Sequence, residues 1–109
     1  MTKGDCYAAA AERLAELHIK GEAKGWKLIH GIVFHEATGE HGHAWLEKGD
    51  VVFDNSNGNK VAMRKERYYA LGVRKVVKSY TAEQLCPLLL TAMHYGPWSE
   101  EEEQAAKER

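Results

Sequence analysis

The stretch from Gly42 to Gly58, GHAWLEKGDVVFDNSNG, constrains this chain more than any other. Two runs rich in apolar and aromatic residues flank a polar turn containing Gly49, the pattern of a β-hairpin. A turn centred on Lys48-Gly49, or a loop from Glu47 to Asp50, sets Glu47 opposite Asp50, Trp45 opposite Val52 and His43 opposite Asp54. Opposed residues of an antiparallel pair have Cβ atoms about 4.5–5.5 Å apart on one face. The expectation is therefore an imidazole touching a carboxylate. A carboxylate held there fixes the histidine tautomer and stabilises the imidazolium. These are two members of a nucleophilic triad whose third would be Cys or Ser. A surface ion pair is the plainer account of the same two residues.

Length and composition bound the rest. With 109 residues the chain makes one domain with a modest core. Its 44% hydrophobic and 28% charged residues argue for a folded chain over a disordered one. A formal charge of -1 excludes a general attraction to nucleic acid or an anionic membrane. No apolar run approaches the roughly 18 residues of a membrane span, and the opening MTKGDC lacks the apolar core of a signal peptide. Cys6 and Cys86 are too few for a disulfide framework. The expectation is a cytoplasmic protein with free thiols.

Asp5 is placed to cap a helix that begins CYAAAAERLAELH. Ala, Leu, Glu and Arg favour helix, and Cys6, Ala10, Leu14 and Leu17 share one face. Cys6 then sits in the first turn and points inward. It reads either as a small buried hydrophobe or as a nucleophile aided by the positive end of the helix. Gly21 to Gly25 is a loop. Trp26 to Phe34 is a strand: Trp26, Leu28, His30, Ile32 and Phe34 alternate onto one face, while Ile29 and Val33 imply that the other is covered too. His35 to Gly42 reads as a polar connection.

Beyond the hairpin, Asn55 to Asn59 is turn chemistry. Lys60 to Leu71 is expected to contain a short helix stopped by Gly72, with Tyr68 or Tyr69 packed into the core. Val73 to Tyr80 reads as an edge strand, since its basic residues discourage edge-to-edge pairing. Arg64, Lys65, Arg67, Arg74, Lys75 and Lys78 suit a solvated face, with an acidic partner as the alternative. Thr81 and Gln84 fit a capping box opening a helix to about His94, which Pro87 kinks or delays. Cys86, among leucines, is assigned to the core. Residues 1–98 form the domain, and 99–109 an acidic tail.

The order is then a cysteine at a helix start, a strand, and His and Asp on paired strands. Such residues divide the labour of acyl transfer: a thiolate attacks a carbonyl, an imidazole carries the proton, and a carboxylate orients the imidazole. GHAWLE at 42–47 resembles the GHAWVE strand of transglutaminase-like proteins. VFDNSNG at 52–58 is similar to their V-x-D-P-T-N-G segment, with Asn55 where Pro is common. Gly4-Asp5-Cys6, followed by Ala9, Ala10 and Leu14, is similar to their nucleophile helix. The resemblance spans residues 4 to 58. It implies a papain-like α+β fold, with an N-terminal helix on an antiparallel sheet and further helices C-terminal to it. It also implies Cys6 as nucleophile, His43 as general base and acid, Asp54 as orienter, no cofactor, and a protein or peptide substrate. The Cys6 backbone N–H supplies one oxyanion donor; His94, Tyr95, Trp98, Tyr68 and Tyr69 are candidates for the second. Two other readings compete. One is a non-catalytic protein-binding module that keeps the fold. The other is a zinc site drawn from His35, His41 and His43 with Cys6 and Asp54, although their spacing matches no zinc module.

Overall fold

A computed structural model describes residues 5–55, 61–92 and 95. Along them run α1 (Asp5–Ile19), β1 (Trp26–His35), β2 (Gly39–Lys48), β3 (Val51–Asp54), β4 (Val61–Arg64), α2 (Lys65–Ala70), β5 (Val73–Tyr80) and α3 (Ala82–Ala92). The strands form one antiparallel sheet in the order β4-β3-β2-β1-β5. The fold is therefore α+β, and β5 occupies an edge, where its run of basic residues meets water.

Each face of the sheet carries its own apolar cluster. On one face α1 and α3 bring Tyr7, Ala10, Ala11, Leu14, Ala82 and Leu85 against Leu28, Ala44, Leu46 and Tyr80. Ala10 and Ala11 are fully buried; side chains this small let the helix lie close to the strands. On the other face Ile29, Trp45 and Val52 pack with Val33, Tyr68, Tyr69 and Val73. This double coverage is why the middle of β1 is buried on both sides and why its sequence alternates only loosely. The capping box forms as its residues demand: Thr81 N–H donates to Gln84 Oε1 at 2.9 Å and Gln84 N–H to Thr81 Oγ1 at 3.3 Å.

The structure corrects four expectations. First, the hairpin turns at Gly49-Asp50, with Lys48 opposite Val51, Glu47 opposite Val52 and Leu46 opposite Phe53. Both favoured two-residue turns need a positive φ at their first position. Gly49 supplies it at φ +58°, whereas a turn centred on Lys48-Gly49 would put that demand on a lysine. His43 is thus not directly opposite Asp54. The partner moves by two residues, however, so every side chain keeps its face. Second, β2 begins at Gly39, paired with His35; the connection is only residues 36–38, and His41 and Gly42 are strand residues. Polar residues are at home there because the far end of β2 is only partly covered.

Third, the segment read as one short helix holds a strand first. Val61 to Arg64 pair with Asp54 to Val51, and α2 follows only after Lys65 N–H donates to Asp50 O at 2.6 Å. Fourth, Cys86 is half-buried and not a core residue, because α3 turns Ala82 and Leu85 to the sheet instead. Pro87 lies inside α3, so it does not delay the start. Asp5 is the first helical residue. The turn at 56–59, the end of the last helix at His94 and the tail at 99–109 lie outside the described residues.

Candidate active site

The geometry starts at the short strand β3. Continuing its register sets Asp54 level with Trp45 on β2, and His43 two positions further along the same face. Diagonal neighbours of this kind are within reach of longer side chains. His43 Nε2 lies 2.8 Å from Asp54 Oδ2, with the two side chains only 15% and 12% exposed. The imidazole N–H donates to the carboxylate. Its ring stacks on the buried Trp45, with centroids 6.0 Å apart and planes 30° apart. On β1 the partner of His43 is Gly31, where a methyl group would stand 2.7 Å from the Trp45 ring. A glycine there leaves room for the stacked indole and imidazole.

Cys6 arrives from the other layer. Its helix covers the face bearing Ala44 and Leu46, whereas His43 shares the face of Trp45. The two meet at the end of β3. Asn55, the residue after that strand, donates from Nδ2 to the carbonyl of Ala9 at 3.1 Å and so ties the first turns of α1 to the strand end carrying Asp54. Cys6 stands close enough to the His43 ring to act on its charge. Since Nε2 is engaged by Asp54, Nδ1 is the nitrogen left to face the sulfur. The structure thus brings together all three residues singled out in the sequence.

Burial, the largest single influence on His43, disfavours its charged form. The hydrogen bonds to Asp54 and Cys6, together with their negative charges, outweigh it and raise the pKa from 6.5 to about 9. At neutral pH the imidazole therefore carries its proton between a carboxylate and a sulfur. Such an arrangement leaves the imidazole charged beside the sulfur, with a proton to hand to a departing group.

A fourth side chain closes the cluster. Tyr68, on α2, donates its hydroxyl to Asp54 Oδ2 at 2.5 Å, the same oxygen that His43 uses. Burial first, then the hydrogen bond to Asp54 and the charges of Asp54 and Cys6, hold this phenol well above the ordinary tyrosine range. Tyr69 points to a separate buried carboxylate. Its hydroxyl donates to Glu47 Oε2, which also accepts from Trp45 Nε1 at 2.9 Å, while Lys65 Nζ stands 3.3 Å from the other oxygen. With both hydroxyls engaged, neither Tyr68 nor Tyr69 supplies the second oxyanion donor. Tyr95 donates to Glu12 on α1 at 2.9 Å, and His94 and Trp98 lie outside the described residues. Sequence reading offered Tyr68 only as an oxyanion donor and gave Asn55 no link to the site, since both contacts depend on where separate elements dock.

The histidines do not converge as a metal site would require. His35 Nδ1 accepts from Ala37 N–H at 3.1 Å, His41 Nδ1 lies 3.2 Å from Gly39 O, and His43 turns to Asp54. Among the described residues no three His, Cys, Asp or Glu side chains are grouped to hold an ion. A groove of about 440 Å³ runs from His43 and Tyr68 past His41 between Val33, Phe34 and Leu71. Among the described residues no helix is long and apolar enough to cross a membrane. No protein-family model, curated protein or solved structure matches the chain.

Proposed function

We propose that the chain is a thiol-dependent acyl-transfer enzyme of the transglutaminase-like, papain-like kind, acting on an amide or isopeptide bond of a protein or peptide. The observation that carries this reading is the convergence of Cys6, His43 and Asp54, with a largely buried imidazole hydrogen-bonded to a carboxylate and under the influence of a neighbouring sulfur. In this mechanism the Cys6 sulfur forms a bond to the substrate carbonyl carbon, and the carbonyl π electrons move onto oxygen. The Cys6 backbone N–H, among the first four of α1 and so without an intrahelical acceptor, is the donor assigned to that developing charge. The tetrahedral species collapses as the carbon–nitrogen bond breaks, and His43 gives its proton to the departing amine. Water or a second amine then attacks the acyl carbon, His43 takes its proton, and the carbon–sulfur bond breaks to release the product and return the Cys6 sulfur. Asp54 keeps the imidazole in the tautomer and orientation that both steps need.

The groove beside His43 suits the amine side of the substrate, because the leaving nitrogen must lie against the imidazole that protonates it. One observation favours the second reading, a non-catalytic protein-binding module: both site tyrosines are committed elsewhere, so neither joins the Cys6 backbone N–H as an oxyanion donor. Intact-mass measurement after treatment with a peptidyl vinyl sulfone separates the two. The enzyme reading expects one adduct on the wild type, none on Cys6→Ala and little on His43→Ala. An unmodified wild type, or equal labelling of Cys6→Ala, would leave the binding module.

A further inference from the structure

We propose that Tyr68 is a positioning residue for the triad, holding Asp54 in the orientation that meets His43 and acting on Cys6 only through that carboxylate. The inference rests on the enzyme reading for its effect on Cys6, but the Tyr68–Asp54–His43 link can be tested without turnover. Three elements converge on one oxygen: His43 from β2 at 2.8 Å and Tyr68 from α2 at 2.5 Å both reach Asp54 Oδ2. Asp54 is the last residue of β3, so its own strand holds its carboxylate poorly. Two rotatable bonds separate that carboxylate from the backbone and give it a freedom that its hydrogen bonds must restrict. Tyr68 removes that freedom. Its ring is wedged against Trp45, with centroids 5.4 Å apart, and Trp45 is fully buried. The hydroxyl is thus presented by a rigid support.

The phenol also keeps its proton across the range in which His43 titrates, since burial and Asp54 both oppose its ionisation. It remains a donor throughout. Neither proton transfer nor oxyanion binding suits it: it is too weak an acid, and its one hydrogen is already given to Asp54. Among the described residues the charged and titratable groups around His43 are Asp54 from β3, Cys6 from α1, Tyr68 from α2 and His41 on its own strand.

Tyr68→Phe in the full chain tests this, because Phe keeps the ring on Trp45 and removes only the hydroxyl. Two quantities are read: the rate at which iodoacetamide alkylates Cys6, and the His43 titration followed by NMR. The proposal expects alkylation to slow about tenfold, the order of one charge-assisted hydrogen bond, and the His43 pKa to fall as Asp54 loosens. In an Asp54→Ala background the same change should add nothing, since residues acting through one group are not additive. Three results would overturn it: no change in either quantity, a rise in the His43 pKa, or an equal slowing in the Asp54→Ala background. A rise would mean that Tyr68 only disperses the carboxylate charge, and equal slowing that it acts by packing or directly on sulfur. Failure of the enzyme reading looks different: wild-type Cys6 would then react no faster than Cys6 in His43→Ala, while the NMR titration still decides the role of Tyr68.

Discussion

His43 makes folding stability depend on pH in a direction and amount that can be worked out. Its pKa is raised on folding from 6.5 to about 9, and its side chain is only 15% exposed, so solvent screens it little. At ~1.4 kcal/mol per tenfold change, the raised pKa corresponds to about 3 kcal/mol. The sign follows from proton counting. Between pH 6.5 and 9 the folded state holds a proton that the unfolded state has lost, so stability falls as pH rises. The contribution is complete below pH 6.5 and gone above about 9. With a urea dependence of about 1–3 kcal/mol per molar, the unfolding midpoint should drop by roughly 1–3 M across that interval. Other groups titrate there too, so the quantity to read is the difference between the wild type and His43→Gln, measured by urea unfolding at intervals from pH 6 to 10. The gap between the two curves should narrow steadily from pH 6.5 to 9. Parallel curves would refute the reasoning, because they would mean that His43 gains no proton affinity on folding.

Asp54→Asn should lower turnover of an amide or thioester acyl donor by about two to four orders of magnitude with the circular dichroism spectrum kept, since an amide favours the wrong imidazole tautomer; near-normal turnover would remove Asp54 from the mechanism. Iodoacetamide near pH 6 should label Cys6 before Cys86, as read by peptide mass mapping, because Cys6 faces the charged His43 whereas Cys86 lies on α3 beside Leu85; the opposite order would remove Cys6 as nucleophile. Gly31→Ala should destabilise the fold by about 1–3 kcal/mol in thermal unfolding, because the added carbon would stand 2.7 Å from both the Lys75 carbonyl and the Trp45 ring. A fully stable variant would show that β5 and the indole can give way.

The local elements were legible because local chemistry decides them. Alternating residues mark β1, apolar runs either side of Gly49 mark the β2-β3 hairpin, the alanine-rich run marks α1, and Thr81 with Gln84 marks the start of α3. The shared face of His43 and Asp54 was legible too, and it survived a wrong register. Side chains repeat every two residues along a strand, so a two-residue shift of partner leaves every face in place. Only the position demanding a positive φ, which Gly49 fills and Lys48 would not, separates the two registers. Strand β4 was hidden because Val61 to Arg64 is too short to show an alternation and Ala, Met and Arg favour helix, until β3 is there to pair with them.

The sequence by itself determined which residues could carry the proposed chemistry, since thiol, imidazole and carboxylate are properties of single side chains, and it placed two of them on one face of a hairpin. Tertiary structure decided what no spacing encodes. Cys6 reaches His43 from the opposite layer because α1 passes the end of β3, where Asn55 holds it at Ala9. Tyr68 reaches Asp54 because α2 docks on Trp45. Both contacts join segments far apart in the chain, and their distances follow from the packing of whole elements against the sheet.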